Sequence, residues 1–372
     1  MKRFWNILWR IAATLLLLLY VAIALVNYSV VQSFLGTTVG HFFSRQWGAT
    51  VSIGSIEVTP WDHLSAHNLL LVSPDGDTIL DAETLKLKFR HFPYKKGNIK
   101  DGGLNVGTLD LERLYLANAY YYFESIQDSL HGKTLTNLQF IIDHYHSSNQ
   151  REHTNQTFTV DAKTVVLNHV HYRMDLPDNR KVVYPYGVQI PHMEFFDIRA
   201  RIKDVHVVND DVSARIVALS AEERSGFCVS KISGRVHVSN SEIRADNLLV
   251  ETPFSHISLS ALLSYDNWRV MNDYLNTVQH HADIHPGTSV ALSDVAYWAP
   301  VLWGIDAQLL PSGSATGTIN DISTNGLELS FGHASTLYIE GSVRMVSLID
   351  SLNLDLQHLV LRVEQSDLSS LH

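Results

Sequence analysis

Cysteine is all but missing from this 372-residue chain: Cys228 stands alone, so no intramolecular disulfide can brace the fold. A lone thiol of this kind reads as a small buried apolar residue. Charge is thin too. Lys and Arg number 28 against 38 Asp and Glu, 18% of residues in all, with a net charge of −10. An acidic balance without a basic tract argues against nucleic acid as a partner. The signatures of common chemistry are absent: there is no G-x-S-x-G, no H-E-x-x-H and no glycine loop for phosphate. Glu222 and Glu223 are adjacent, so in a strand they face opposite sides and cannot share a substrate. The reading is of a protein that is not an enzyme and uses no cofactor.

Histidine, by contrast, is plentiful at 20. The groups His144-Tyr145-His146, His169-Val170-His171 and His280-His281 with His285 invite a metal reading. His169 and His171 would share a strand face, but no Asp, Glu or Cys completes a site at the right spacing. They read as surface or half-buried residues, and Asp75-Gly76-Asp77 as a turn rather than a calcium loop.

Long apolar runs are confined to residues 11–28, IAATLLLLLYVAIALVNY. At the helical rise this run spans about 27 Å, near the thickness of a bilayer's hydrocarbon core. Lys2, Arg3 and Arg10 precede it, which favours a cytoplasmic N-terminus. The expectation is a single-pass signal anchor holding Ile11, Leu15, Leu19 and Val26 in the membrane, with the rest exported. A cleaved signal peptide is the rival, but Ala22-Ile23-Ala24 lies inside the apolar run with no polar stretch before it.

Residues 1–29 then form a cytoplasmic tip and anchor, 30–48 an amphipathic connecting helix, and 49–372 a periplasmic body. The helix is read over Val30–Trp47, with Val31, Phe34, Leu35, Val39, Phe42 and Phe43 on one side and Gly36 and Gly40 weakening it.

From Ala49 the period becomes two. Leu85, Leu87 and Phe89 alternate with Lys86, Lys88 and Arg90. Val51 with Ile53, Leu109 with Leu111, Ile198 with Ile202, and Val236 with Val238 follow the same rule. So do Ile257 with Leu259, Leu327 with Leu329 and Phe331, and Leu354 with Leu356. Turn signals separate them: Pro74-Asp75-Gly76-Asp77, Asn209-Asp210, Asn240-Ser241 and Asn325-Gly326 among them. Helix candidates are few, namely Thr136–Tyr145 and a turn in Ser293–Trp303. Too little helix remains to cover the apolar faces of some twenty strands. The fold class expected is mainly β: a transmembrane helix, then a long curled antiparallel sheet forming a groove, a β-taco, with a few short helices. Stacked at ~4.8 Å, the strands would extend up to about 95 Å.

The order of segments resembles the TamB-like proteins of the AsmA superfamily in their Bacteroidetes form. FSRQWGATVSIGSIEVTPWDHLSAHNLLLVSPDGDTIL (43–80) carries the likeness, through Gly48, Val51, Ile53, Gly54, Ile56, Val58, Leu69, Leu71, Asp75-Gly76-Asp77-Thr78 and Leu80. LSAEERSGF (219–227), TPFSHISL (252–259), VALSDVAYWAP (290–300) and the stretch Gly313–Ile322 extend it. The resemblance implies an inner-membrane-anchored periplasmic groove that carries phospholipid towards the outer membrane. Its alternative is a scaffold for outer-membrane protein assembly with a TamA- or BamA-like barrel. Such proteins are much longer than 372 residues, so a truncated chain is expected. In the conduit reading, the apolar residues of the strands named above line the trough and phospholipid fills it. In the scaffold reading, the sheet edges pair with partner strands. An envelope enzyme on a β-sandwich is a third reading, for which no convergent polar cluster is found.

Overall fold

A computed structural model describes residue 14 and residues 28–59, 62–91, 108–128, 133–141, 159–177, 186–267, 273–332, 334–344 and 353–368. Within these, the chain is mostly β. Seventeen strands join in one sheet system. Neighbours in sequence pair antiparallel, as the hairpin turns at Pro74–Asp77, Asn209–Asp210 and Asn240–Ser241 require. The exception is β4 (Thr108–Asp128), which runs parallel to β6 (Thr159–Asp175), while the short β5 (Lys133–Thr136) folds back on the far end of β4. The sheet does not close: among the described residues β1 (Thr50–Thr59) and β17 (Asn353–Arg362) do not pair with each other.

The period of two produces continuous apolar rows, because directly opposed residues lie on the same face. One row passes through Ile56, Ala66, Leu85, Leu116, Leu167, Ala200, Leu219, Ile232, Val250 and Ile257 in ten adjacent strands. The other face carries charge. There, histidines lie against carboxylates on neighbouring strands: His206 Nδ1 is 2.5 Å from Asp161 Oδ1, and His171 Nε2 is 2.9 Å from Glu194 Oε1.

A second feature cuts across the strands. Asn68, Asn118, His169 and Asp197 all have left-handed backbones, with φ between 47° and 54°. Asn68, Asn118 and His169 fall where the register skips a residue in β2 (His63–Val72), β4 and β6. Short polar side chains tolerate this conformation, and the pairing of β2, β4 and β6 resumes in the same register on either side of it. On the apolar side of that line, Ala82 and Ala119 are fully buried beside Val170 and are packed by Leu69, Leu80, Leu116, Leu167 and Ile198.

The helix α1 (Ser29–Trp47) precedes β1. Leu35, Val39, Phe43 and Trp47 pack over Val51, Ile53, Ile56 and Ala66. Phe34 and Phe42, expected on the packing side, are exposed instead. Gly36 and Gly40, expected to weaken the helix, are its buried contact surface. Shorter helices are α2 (Tyr274–Thr277), α3 (Leu292–Ala296) and α4 (Gln365–Leu368).

Several expectations need correction. Among the described residues there are seventeen strands, against some twenty expected. Among the described residues no helix is long and apolar enough to cross a membrane. The transmembrane helix therefore leaves the fold class, and with it goes the basis for a single-pass inner-membrane topology with a periplasmic bulk. Ile11, Leu15, Leu19 and Val26, on which it was placed, lie outside the described residues. Asn325-Gly326 is no hairpin turn: it sits inside β15 (Asp321–Phe331), where Gly326 takes φ 143° at a register shift. The helix expected from Thr136 starts later: Thr136 pairs with Ser125 at the end of β5, and residues 139–141 are helical. Cys228 is half-buried rather than buried, and desolvation ahead of its Glu222 and Asp294 neighbours pushes its thiol pKa up.

Candidate binding edge

The two ends of the sheet are built differently. At β1, α1 lies against the strand's outer edge. A Cβ on Gly36 would stand 2.6 Å from the Ile53 carbonyl oxygen, and one on Gly40 2.9 Å from that of Val51. Only glycine permits so close an approach. The Val51 N–H donates to Ser44 Oγ at 2.8 Å, and that hydroxyl is 3.1 Å from the Val51 carbonyl oxygen. The helix thus takes over hydrogen-bonding groups that a further strand would use.

At the other end, β17 pairs with β16 (Ser335–Arg344) along one side; its second side has no strand among the described residues. The apolar rows run out into this edge. Leu259, Ile284, Gly313, Leu327, Ile339 and Leu359 stand opposite one another in turn. Pro311, Leu329, Leu337 and Leu361 form the row beside it. The inner members are half-buried, but Leu359 is 52% exposed, Leu361 58% and Leu354 54%. Each lacks the cross-strand neighbour that would cover its open flank. Gln357 is skipped in the register with β16, so Leu354 and Leu356 before it share a face with Leu359 and Leu361 after it. Asp355, His358, Val360 and Arg362 take the other face.

The edge is held in place from below. Asp367 in α4 is 1% exposed, and its Oδ2 accepts from Ala334 N–H at 3.1 Å, Ser335 N–H at 3.1 Å and Ser335 Oγ at 2.7 Å. Ser335 Oγ in turn accepts from Glu364 N–H at 3.0 Å. This clasp ties the chain after β17 to the start of β16.

The residues expected to line a lipid trough all fall in strands, in unlike surroundings. Val51 and Ile53 are buried beneath α1. Phe89 and Leu111 are buried with Ala162 and are packed by Leu64, Leu87, Leu109, Leu114, Val165 and Val205. Leu85 packs on the cluster under α1, and Ile198 on the one formed by Ala82, Ala119 and Val170. Ile202, Val236, Val238, Ile257, Leu259, Leu327, Leu329, Phe331 and Leu356 are half-buried, and Leu354 lies in the open. The lipid-carrying groove is accordingly corrected. No spanning helix is found among the described residues, and the sheet is not closed into a barrel. The membrane-tethered conduit and the outer-membrane assembly role both depended on that anchoring.

Among the described residues, no cluster of three or more His, Cys, Asp or Glu is placed to hold a metal ion. Glu222 is exposed, whereas the buried Glu223 accepts from the Ser225 N–H at 2.7 Å and closes a turn. Sequence reasoning expected pairing at sheet edges but missed that β17 is the open one, and missed its clasp. The signal was present in two pairs, Leu354-Leu356 and Leu359-Leu361, out of phase across Gln357. No family model, no curated protein and no solved structure matches the chain.

Proposed function

We propose that this chain is a non-catalytic binding protein that takes up an extended polypeptide strand along the outer edge of β17. The observation that carries the reading is the run of apolar rows into exposed leucines on a strand whose second side has no partner among the described residues. A strand added there gains main-chain hydrogen bonds, each worth about 0.5–1.5 kcal/mol net. Apolar residues at its alternate positions gain roughly 0.2–1 kcal/mol per cross-strand pair. No bond is made or broken in such a role, and no cofactor is called on. Kinship with the TamB-like proteins belongs to the same proposal, supported by the order of motifs from residue 43 onward.

The test is a labelled peptide with apolar residues at every second position, compared with a peptide of the same composition and helical spacing. Hydrogen exchange should slow in the amides of Asn353–Arg362 with the first peptide and not with the second. Equal protection by both, or protection confined to other strands, overturns the proposal.

A further inference from the structure

We infer that the strand received at this edge is β17 of a second copy of the chain, paired antiparallel about a two-fold axis through Leu359. The inference rests on the strand-addition reading above and names its partner. A two-fold interface brings the same patch to itself, so the patch must be self-complementary. β17 meets that condition in both shape and charge.

Antiparallel pairing about Leu359 sets that residue against its own copy. His358 then stands opposite Val360. Beyond the skipped Gln357, Leu356 stands opposite Leu361, on both sides of the axis. Next, Asp355 stands opposite Arg362, again twice. Leucine meets leucine on the apolar face, and carboxylate meets guanidinium on the other. The bulge that fits β17 to β16 is the same one this pairing needs, since skipping Gln357 keeps every opposed pair on one face. Neither Asp355 nor Arg362 has an ion-pair partner of its own among the described residues, so both are available. Other registers fare worse. With Leu356 on the axis, Leu361 and Arg362 run past the end of the partner strand. With Leu361 there, Asp355 does. The apolar rows of the two copies join into one continuous face through Leu359 and Leu361.

A single pair of ten-residue strands is a small contact beside the interfaces of permanent dimers. The dimer expected is therefore reversible and depends on concentration. Sedimentation of the full chain at low ionic strength should show it. Asp355→Arg and Arg362→Asp each place like charges opposite one another twice, and each should weaken the dimer about tenfold. The double variant restores opposite charges and should return the dimer to near its original strength. Leu359→Cys, made with Cys228→Ser, should cross-link two copies through position 359 on mild oxidation, because opposed strand residues lie within disulfide reach. A dimer indifferent to both charge reversals, or no cross-link at 359, overturns the inference. A chain that is monomeric at all concentrations but protects β17 with the alternating peptide overturns the second copy and leaves strand addition standing. A monomer that also ignores the peptide overturns both.

Discussion

The sheet has two ends, and their difference shows how an edge strand is either retired or left in service. β1 and β17 are both ten residues long and both carry apolar residues at alternate positions. At β1 a helix with two glycines one turn apart lies on the backbone, its leucine, valine and aromatic side chains roof the apolar face, and Ile53 is 8% exposed. At β17 no helix roofs the strand among the described residues, and Leu359 on the same kind of strand is 52% exposed. A long apolar edge is a hazard that folded proteins suppress unless they use it. Here one edge is suppressed and the other is clasped into position by a buried carboxylate.

The sharpest way to break the contrast is to lift the helix. Gly36→Val drives a branched side chain into the Ile53 carbonyl, for which α1 must move off β1. Overpacking of this sort costs about 3 kcal/mol. A urea midpoint should fall accordingly, and amides around Val51–Ser55 should exchange faster. The variant should also bind the alternating peptide at a second place, because β1 becomes an edge like β17. Loss of stability without new binding would mean that β17 differs from β1 by more than exposure. The converse change is Asp367→Ala. It strips an acceptor from two backbone N–H groups and a hydroxyl at a buried turn, at a cost of about 2 kcal/mol. Exchange should quicken through β17 while α1 and β1 keep their protection.

The alternation of the strands, the helix before β1 and the turn residues at Pro74–Asp77 were legible because each depends on local spacing. Period two is a property of the backbone, and Leu85-Lys86-Leu87-Lys88-Phe89 displays it without reference to the rest of the chain. What the sequence hid are the features that depend on what lies opposite. Asn68 and Asn118 draw no notice in the sequence and His169 is read only as a surface histidine, until the register places all three side by side with left-handed backbones. Asn325-Gly326 has the composition of a turn, but β16 runs past it and makes it a bulge. Gly36 and Gly40 count against a helix by propensity and for it by contact, and only the contact decides. The edge itself is defined by the lack of a second strand neighbour among the described residues, and the phase slip at Gln357 shows in the sequence only that β17 is irregular.

A gentler alteration sharpens the comparison from the binding side. Leu359 is half open to solvent, so Leu359→Lys should shift the urea midpoint by well under about 1 kcal/mol. Peptide protection of β17 should nonetheless be lost, since the substituted ammonium would have to be buried against the incoming strand. The matched change at the covered edge, Ile53→Lys, should do the reverse: it buries a charge beneath α1 and unfolds that end, with β17 unaffected.

The smallest effect expected lies between the two ends and tests whether the charged face discriminates between them at all. His237 in β9 (Cys228–Val238) sits between two carboxylates: Nε2 is 3.1 Å from Asp211 Oδ1 and Nδ1 is 3.1 Å from Glu242 Oε1. Both ring nitrogens can donate only in the imidazolium form. The hydrogen bond to Asp211, followed in rank by an opposing desolvation and then the bond to Glu242, leaves the His237 pKa raised. A raised folded-state pKa means the stabilisation is full below the unfolded value of about 6.5 and fades as pH climbs through the folded value. His237→Gln should therefore lower the urea midpoint slightly at pH 5.5, and the gap from the parent should close as the pH rises. The site is largely solvated, so the gap should shrink with salt as well. Because β8 (Asp211–Glu223), β9 and β10 (Glu242–Glu251) lie mid-sheet, neither β1 nor β17 should change its exchange rate. A pH-dependent change at β17 alone would tie the open edge to the charged face, and the two ends would then differ in their electrostatics as well as in their cover.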